Sequence, residues 1–291
     1  MPHYHPFHPE PRTPSTLPPA RTCDSQFHVF GPADVYPVRP GAAFEMPTAT
    51  IENALKMHQA LGIERGIIVQ ATTYGADHRV VLDALEKAGE NYKGCANAIV
   101  LKEGSESYIH ELDQAGVGGA RFTFRKELGL GLNQSEFQRA TDLLRELGWY
   151  AKIQPEKDGI LGSVEYYEHL DIPVLIDHFG RVDASLGLND PNLKKVMELL
   201  DKGNFWVMLS LGEKISVNGH PWDDMLPIAR ALIDAAPDRV VWASDWPHPL
   251  SVKAPPNDAE LLELLYRYAP DTAEQQKILV DNPAKLFGFS R

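Results

Sequence analysis

The stretch Val240–Pro249 reads Val-Val-Trp-Ala-Ser-Asp-Trp-Pro-His-Pro. It opens as a short apolar run of β-formers, and Pro247 and Pro249 then force the chain out of any sheet. Asp245 therefore stands at the mouth of a buried strand. A carboxylate there suits a general base, and it equally suits a capping residue that starts a turn. The segment alone leaves both readings open. Two more runs end in the same way, with polar groups at the exit. Thr22–Phe30 carries Gln26 and His28, and Ile172–His178 ends in Asp177-His178. Alternation along the first run predicts that Asp24, Gln26 and His28 share one side.

These residues are far apart in sequence, so the elements between them must bring them together. Apolar runs of strand length recur at 66–70, 93–100, 118–125, 149–154, 205–210 and 239–244. Helical spacing fills the intervals at 50–61, 77–88, 105–115, 135–147, 161–170, 192–200 and 222–235, and helices at 259–268 and 273–280 close the chain. Eight strand–helix repeats predict an α/β fold of the (β/α)8, TIM-barrel type over residues 21–291, near the ~250 residues usual for it. A doubly wound open sheet is the competitor, but Gly31-Pro32 after the first strand does not open a glycine-rich phosphate turn.

In a barrel, chemistry sits at the carboxyl ends of the strands. That rule gathers Gln26, His28, Gln70, Asn97, Arg121, Arg125, Lys152, Gln154, His178, Ser210, Asp245 and His248. Each alone has a structural explanation. Two histidines and an acid at one mouth point to catalysis.

Composition narrows the partners. The net charge is −12 and the pI about 5.4, which argues against nucleic acid and anionic membranes. Two cysteines, Cys23 and Cys95, show no disulfide or CxxC spacing, so a reducing cytoplasm is expected. No apolar run approaches the ~18 residues of a membrane span. Residues 1–20 are rich in proline and histidine and lack the apolar core of a secretory signal. They predict an extended arm that adds little to barrel stability, with His3, His5 and His8 in a solvated tail.

The order of these motifs resembles the amidohydrolase superfamily. Gln26-Phe27-His28 stands at the strand-1 His-x-His, His178 at the strand-6 histidine and Asp245 at the strand-8 aspartate. The closing Asp281-Asn-Pro-Ala-Lys-Leu-Phe-Gly288 is similar to that family's terminal segment. The resemblance spans about residues 20–290. Two departures from the family pattern bear on metal. Gln26 replaces a histidine ligand, Gln154 is the nearest candidate at the strand-5 ligand position, and glutamine binds zinc poorly. The resemblance thus implies the metal-independent branch that includes 2-pyrone-4,6-dicarboxylate lactonase, whose members act on lactones of dicarboxylic acids. No cofactor is expected.

Within that branch it implies interconversion of the δ- and γ-lactones of an aldaric acid such as D-galactarate. Asp245 would deprotonate a substrate hydroxyl, and the alkoxide would attack the lactone carbonyl. Gln26, His28 and His178 would hold the oxyanion. Arg121 and Arg125 would bind the carboxylate of a small anionic lactone, with Gln154 and Lys152 beside it. The alternatives are a lactonase, a mononuclear zinc hydrolase using His28, His178 and Asp245, and a non-catalytic sugar-acid binding protein. The oligomeric state stays open.

Overall fold

The computed structural model describes residues 4–290. Eight parallel strands run in chain order round one sheet: β1 (Cys23–Phe27), β2 (Arg65–Val69), β3 (Tyr92–Asn97), β4 (Val117–Thr123), β5 (Tyr150–Gln154), β6 (Val174–Ile176), β7 (Phe205–Leu209) and β8 (Val240–Trp242). The strands are buried on both faces, which is why they read as continuous apolar runs. In β7, Trp206 and Met208 point into the lumen, while Phe205, Val207 and Leu209 pack outward. Cys23, Ile67, Val69, Cys95, Tyr150 and Leu175 share that lumen, and Phe287 of the last helix closes its floor. The interior is thus a packed core rather than a pore.

The helices form the outer ring. Ile51–Leu61, Arg79–Ala88, Gln134–Leu147, Pro191–Asp201, Met225–Ala235 and Asp258–Tyr268 each bury one face against the strands. The helix expected at 161–170 is replaced by a single 3-10 turn at Val164–Tyr166. Its residues serve an aromatic cluster instead, with Tyr166 and Tyr167 lying 5.3 and 5.6 Å from Phe124. The strand expected at 93–100 stops at Asn97, because a helical turn begins at Val100.

The first strand departs from simple alternation. Asp24 pairs with Gly66 and Phe27 with Ile68, so three steps on β1 match two on β2. This bulge turns Asp24 outward toward His58, 3.2 Å away, while Gln26 faces Asp245. The expectation that Asp24 shares a side with Gln26 and His28 is therefore corrected. No regular ladder joins β1 to β8. The seam is closed by Asp245 N donating to Gln26 O at 3.1 Å and His28 N donating to Trp246 O at 2.7 Å.

Residues 4–20 contain no helix or strand, and they are docked. Phe7 packs on Trp246 at 4.7 Å, and His5 N donates to Ser251 O at 2.9 Å. Asn257 bonds Glu10 O at 3.1 Å and the Arg12 amide at 3.2 Å, and Arg12 pairs with Glu263. The arm thus straps the loop that follows β8. His5 and His8 belong to no cluster of metal ligands among the described residues, and His3 lies outside them. Removing residues 1–11 should cost about 1–2 kcal/mol, mostly the burial of Phe7. A fall in Tm of about 2–6 °C is then expected. An unchanged melt would show that the strap contributes nothing.

Candidate active site

A cavity of about 240 Å³ opens at the carboxyl ends of the strands. Among the described residues, Asp245 is the lone carboxylate on its wall, and four cations line it: Arg121, Arg125, Arg181 and Lys214. Asp245 is 4% exposed. Its Oδ1 accepts a hydrogen bond from Gln26 Nε2 at 2.7 Å and faces His28 Nε2 at 3.4 Å. Burial opposes its charge, but its contact with His28 and the Lys214 ammonium hold the carboxyl well below the usual carboxylate range. It is therefore ionised at neutral pH and available as a base.

The histidines have defined roles. His28 Nδ1 sits 2.7 Å from Val69 O, and a carbonyl only accepts, so Nδ1 carries a proton. His178 Nε2 lies 3.3 Å from Arg121 Nη2 and 3.5 Å from Gln26 Nε2. Both neighbours are donors, so this nitrogen presents its lone pair, and Nδ1 donates to Ser210 Oγ at 2.8 Å. Burial lowers the His178 pKa to about 3. The ring is neutral at pH 7 and orients Arg121. The expectation that His178 donates to an oxyanion is corrected on this geometry.

A buried charge network lies beneath. Arg121 Nε donates to Asp177 Oδ2 at 2.7 Å, and Lys152 Nζ pairs with Asp177 Oδ1 at 2.9 Å. One acid between two cations leaves a net positive charge under the cavity. Lys152 is fully buried in the lumen and does not reach the cavity, which corrects its expected contact with substrate. Strand alternation puts it on the same face as Gln154 but one layer lower. Gln26 is likewise absent from the wall, because its amide is used on Asp245 and His178. Gln154 does line the cavity, and its Oε1 is buried without a hydrogen-bond partner among the described residues. Arg125 is on the wall too, steadied by Glu127 at 2.7 Å.

Other strand-end residues serve structure. Gln70 donates to Asp77 O at 2.5 Å, Asn97 to Ala71 O at 3.2 Å, and His248 is buried against Asp258 at 3.1 Å.

Sequence reading missed Arg181. Its Nε is buried without a partner among the described residues. The turn that presents it is left-handed throughout, with φ of 52° at His178, 55° at Phe179, 69° at Gly180 and 56° at Arg181. Asp245 (φ 57°) and Leu211 (φ 61°) leave their strands in the same way. Such conformations cost roughly 1–2 kcal/mol per non-glycine residue and gather at functional sites. The only sequence signal was the pair Gly180-Arg181 after Asp177-His178.

The donor set does not fit a metal ion. Where a cation would bind between His28, His178 and Asp245, the Gln26 amide and the Arg121 guanidinium already point their N–H groups inward. A second cation there would face a fixed positive charge.

Fold and site together define a (β/α)8 barrel with a single carboxylate in a cationic mouth. The chain belongs to the amidohydrolase family, whose model matches residues 3–289. It is 37% identical over 273 residues to the 4-sulfomuconolactone hydrolase of Hydrogenophaga intermedia, covering 93% of this chain and 89% of that one. It is 32% identical to the 2-pyrone-4,6-dicarboxylate hydrolase of Comamonas testosteroni, covering 95% and 93%. Identity to the D-galactarolactone isomerase of Agrobacterium fabrum is 29%, covering 94% and 92%.

The buried rings set a pH dependence. His178 is lowered to about 3 and His78 to about 4, both by burial. Below the unfolded value of ~6.5 the unfolded chain takes up protons that these native rings refuse, so stability falls as pH drops. His248 acts oppositely: burial works against it, but Asp258 prevails and raises its pKa, so its contribution is lost as pH rises. With two rings against one, Tm should decline from about pH 6.5 to about pH 4.5, and His178→Asn should lessen that slope. An identical slope in the variant would remove His178 from this account.

Proposed function

We propose that the protein hydrolyses a small lactone bearing two anionic groups, with Asp245 as general base and no metal. The observation that carries this reading is the cavity wall, one ionised carboxylate facing four cations. Relatives named as hydrolases of a sulfomuconolactone and a pyrone dicarboxylate support the same substrate class. The rest of the wall includes Phe30, Phe44, Leu128, Leu211 and Leu250, which suit a flat, unsaturated ring better than one carrying a hydroxyl on every carbon.

The steps follow from the geometry. Asp245 takes a proton from water as the water oxygen adds to the lactone carbonyl. The new oxyanion forms in the field of Arg121, Arg181 and Lys214, whose N–H groups replace the histidine donors expected from sequence. The intermediate collapses, the ring C–O bond breaks, and the departing oxygen recovers the proton from Asp245. The product is an open-chain acid that ionises and releases one proton. The four cations bind the two anionic groups before and after.

Isomerisation is the second reading, favoured by the unpartnered Gln154 Oε1 and by Thr72 on the wall, which offer partners to substrate hydroxyls. The same Asp245 would then deprotonate a substrate hydroxyl, and the ester would move without proton release.

Asp245→Asn keeps the shape and removes the base, so turnover should fall on the order of 10²–10⁴-fold with the melt little changed. Activity within a few-fold of wild type would remove Asp245 from this role. In a pH-stat, base uptake should equal the dianionic lactone consumed. Loss of an aldarolactone without base uptake would establish the isomerase instead. Turnover is expected to survive exhaustive chelation, and loss on chelation with rescue by zinc would overturn the metal-free reading.

Replacing Arg181 with Lys keeps the charge and loses the planar fork. The expected result is a raised KM for the dianionic lactone, and an unchanged KM would place the second anionic group elsewhere.

A further inference from the structure

Asp24 is fully buried outside the lumen and touches neither the cavity nor its wall. Its carboxylate nevertheless collects four donors. Oδ1 accepts the Gln26 amide at 3.2 Å and the Ser244 amide at 3.0 Å. Oδ2 accepts the Ser244 hydroxyl in a short hydrogen bond and faces His58 Nε2 at 3.2 Å. His58 Nδ1 meets Tyr92 Oη at 3.0 Å, so a tyrosine proton satisfies that nitrogen and Nε2–H is left for Asp24.

One oxygen therefore fixes two backbones. Gln26 carries the amide that orients the base, and Ser244 immediately precedes the base itself. Ser244 Oγ also accepts the Trp246 amide at 3.0 Å, so the residues on both sides of Asp245 are held through the same contact. The site of this contact is the seam where no ladder joins β1 to β8, and the bulge in β1 is what brings Asp24 to it. Without the carboxylate, the Ser244 amide would be a buried donor at the weakest join of the barrel. Asp245 beyond it would hold its left-handed conformation (φ 57°) with one support fewer.

We propose that Asp24 is a positioning residue for catalysis: acting through Ser244 and the Gln26 backbone, it sets the 2.7 Å contact between Gln26 and Asp245 and holds Asp245 in its left-handed turn. The kinetic part of this inference rests on the function proposed above. Asparagine at position 24 would keep the size but turn an NH₂ group toward donors.

The test is a double-mutant cycle of Asp24→Asn and Ser244→Ala, with dianionic-lactone kinetics and crystal structures of each stable variant. Displacement of a reacting group by about 1 Å costs up to ~10²-fold. Asp24→Asn should therefore lower kcat about 10- to 100-fold with KM within about 3-fold. The double variant should be no slower than Asp24→Asn alone, because both changes break one path. A purely structural role would lower Tm and leave the kcat of the folded fraction intact. That result, or effects that multiply, would overturn the proposal. Should Asp24→Asn fail to fold, Ser244→Ala alone is decisive, with a smaller kcat loss supporting the proposal and unchanged kcat refuting it. Should wild type turn over no lactone, the functional reading fails separately and the crystals decide. Loss of the Gln26–Asp245 contact or of the positive φ at Asp245 supports the proposal, and both retained in the variants sinks it.

Discussion

The arrangement depends on keeping one carboxylate ionised although it is almost wholly buried. Burial alone would drive Asp245 toward its neutral form. His28 and the cations of the cavity prevent it. The same cations settle two further matters. Arg121 points an N–H group at His178 Nε2, a direction a bound metal ion would need, and in the proposed reaction the cations would stabilise the developing negative charge. The histidines have other partners. His178 is neutral and aims Arg121, while His28 is tied to Val69 O and faces the base.

Cations at this density repel one another, so they need anchoring or they would turn to solvent. Arg121 is fixed by Asp177, which Lys152 shares, and Arg125 by Glu127. The Arg121–Asp177–Lys152 group gives little stability, because desolvating three charges offsets most of their attraction. Its contribution is direction. Arg181 Nε has no partner among the described residues, and the side chain is directed by its backbone, through four consecutive left-handed residues. Local strain there takes the part that an acidic partner plays for Arg121.

The barrel was legible because strands buried on both faces leave short continuous apolar runs, and helices leave a 3.6-residue stripe. His28, His178, Asp245, Arg121, Arg125 and Gln154 were legible from one rule, that polar residues at strand ends face the mouth. What alternation could not show was depth, since Lys152 and Gln154 share a face but only Gln154 reaches the cavity. Nor could it show the bulge that separates Asp24 from Gln26, because an extra residue leaves no mark on composition. Arg181 lies beyond its strand in a turn whose handedness is set by tertiary contacts. The arm read as solvated because proline excludes regular structure, yet Phe7 and the Asn257 side chain dock it without any.

The surface and the cavity have opposite signs, with a net charge of −12 overall and four cations around one acid at the mouth. Such a contrast rejects anions broadly and admits them at one place, so attraction is local. It also poses a problem of release. A field strong enough to bind a doubly charged lactone would hold the open-chain product, which carries one negative charge more, more tightly still. In the hydrolytic reading, Asp245 resolves it. The base is protonated while the tetrahedral intermediate exists and is ionised again once the ring oxygen has taken its proton. The new carboxyl group still holds the second proton of the water at that moment; once it ionises, its charge lies against Asp245, and two like charges a few ångströms apart in a largely buried site repel strongly. The proton returned by Asp245 thus completes the bond cleavage and also weakens the hold on the product.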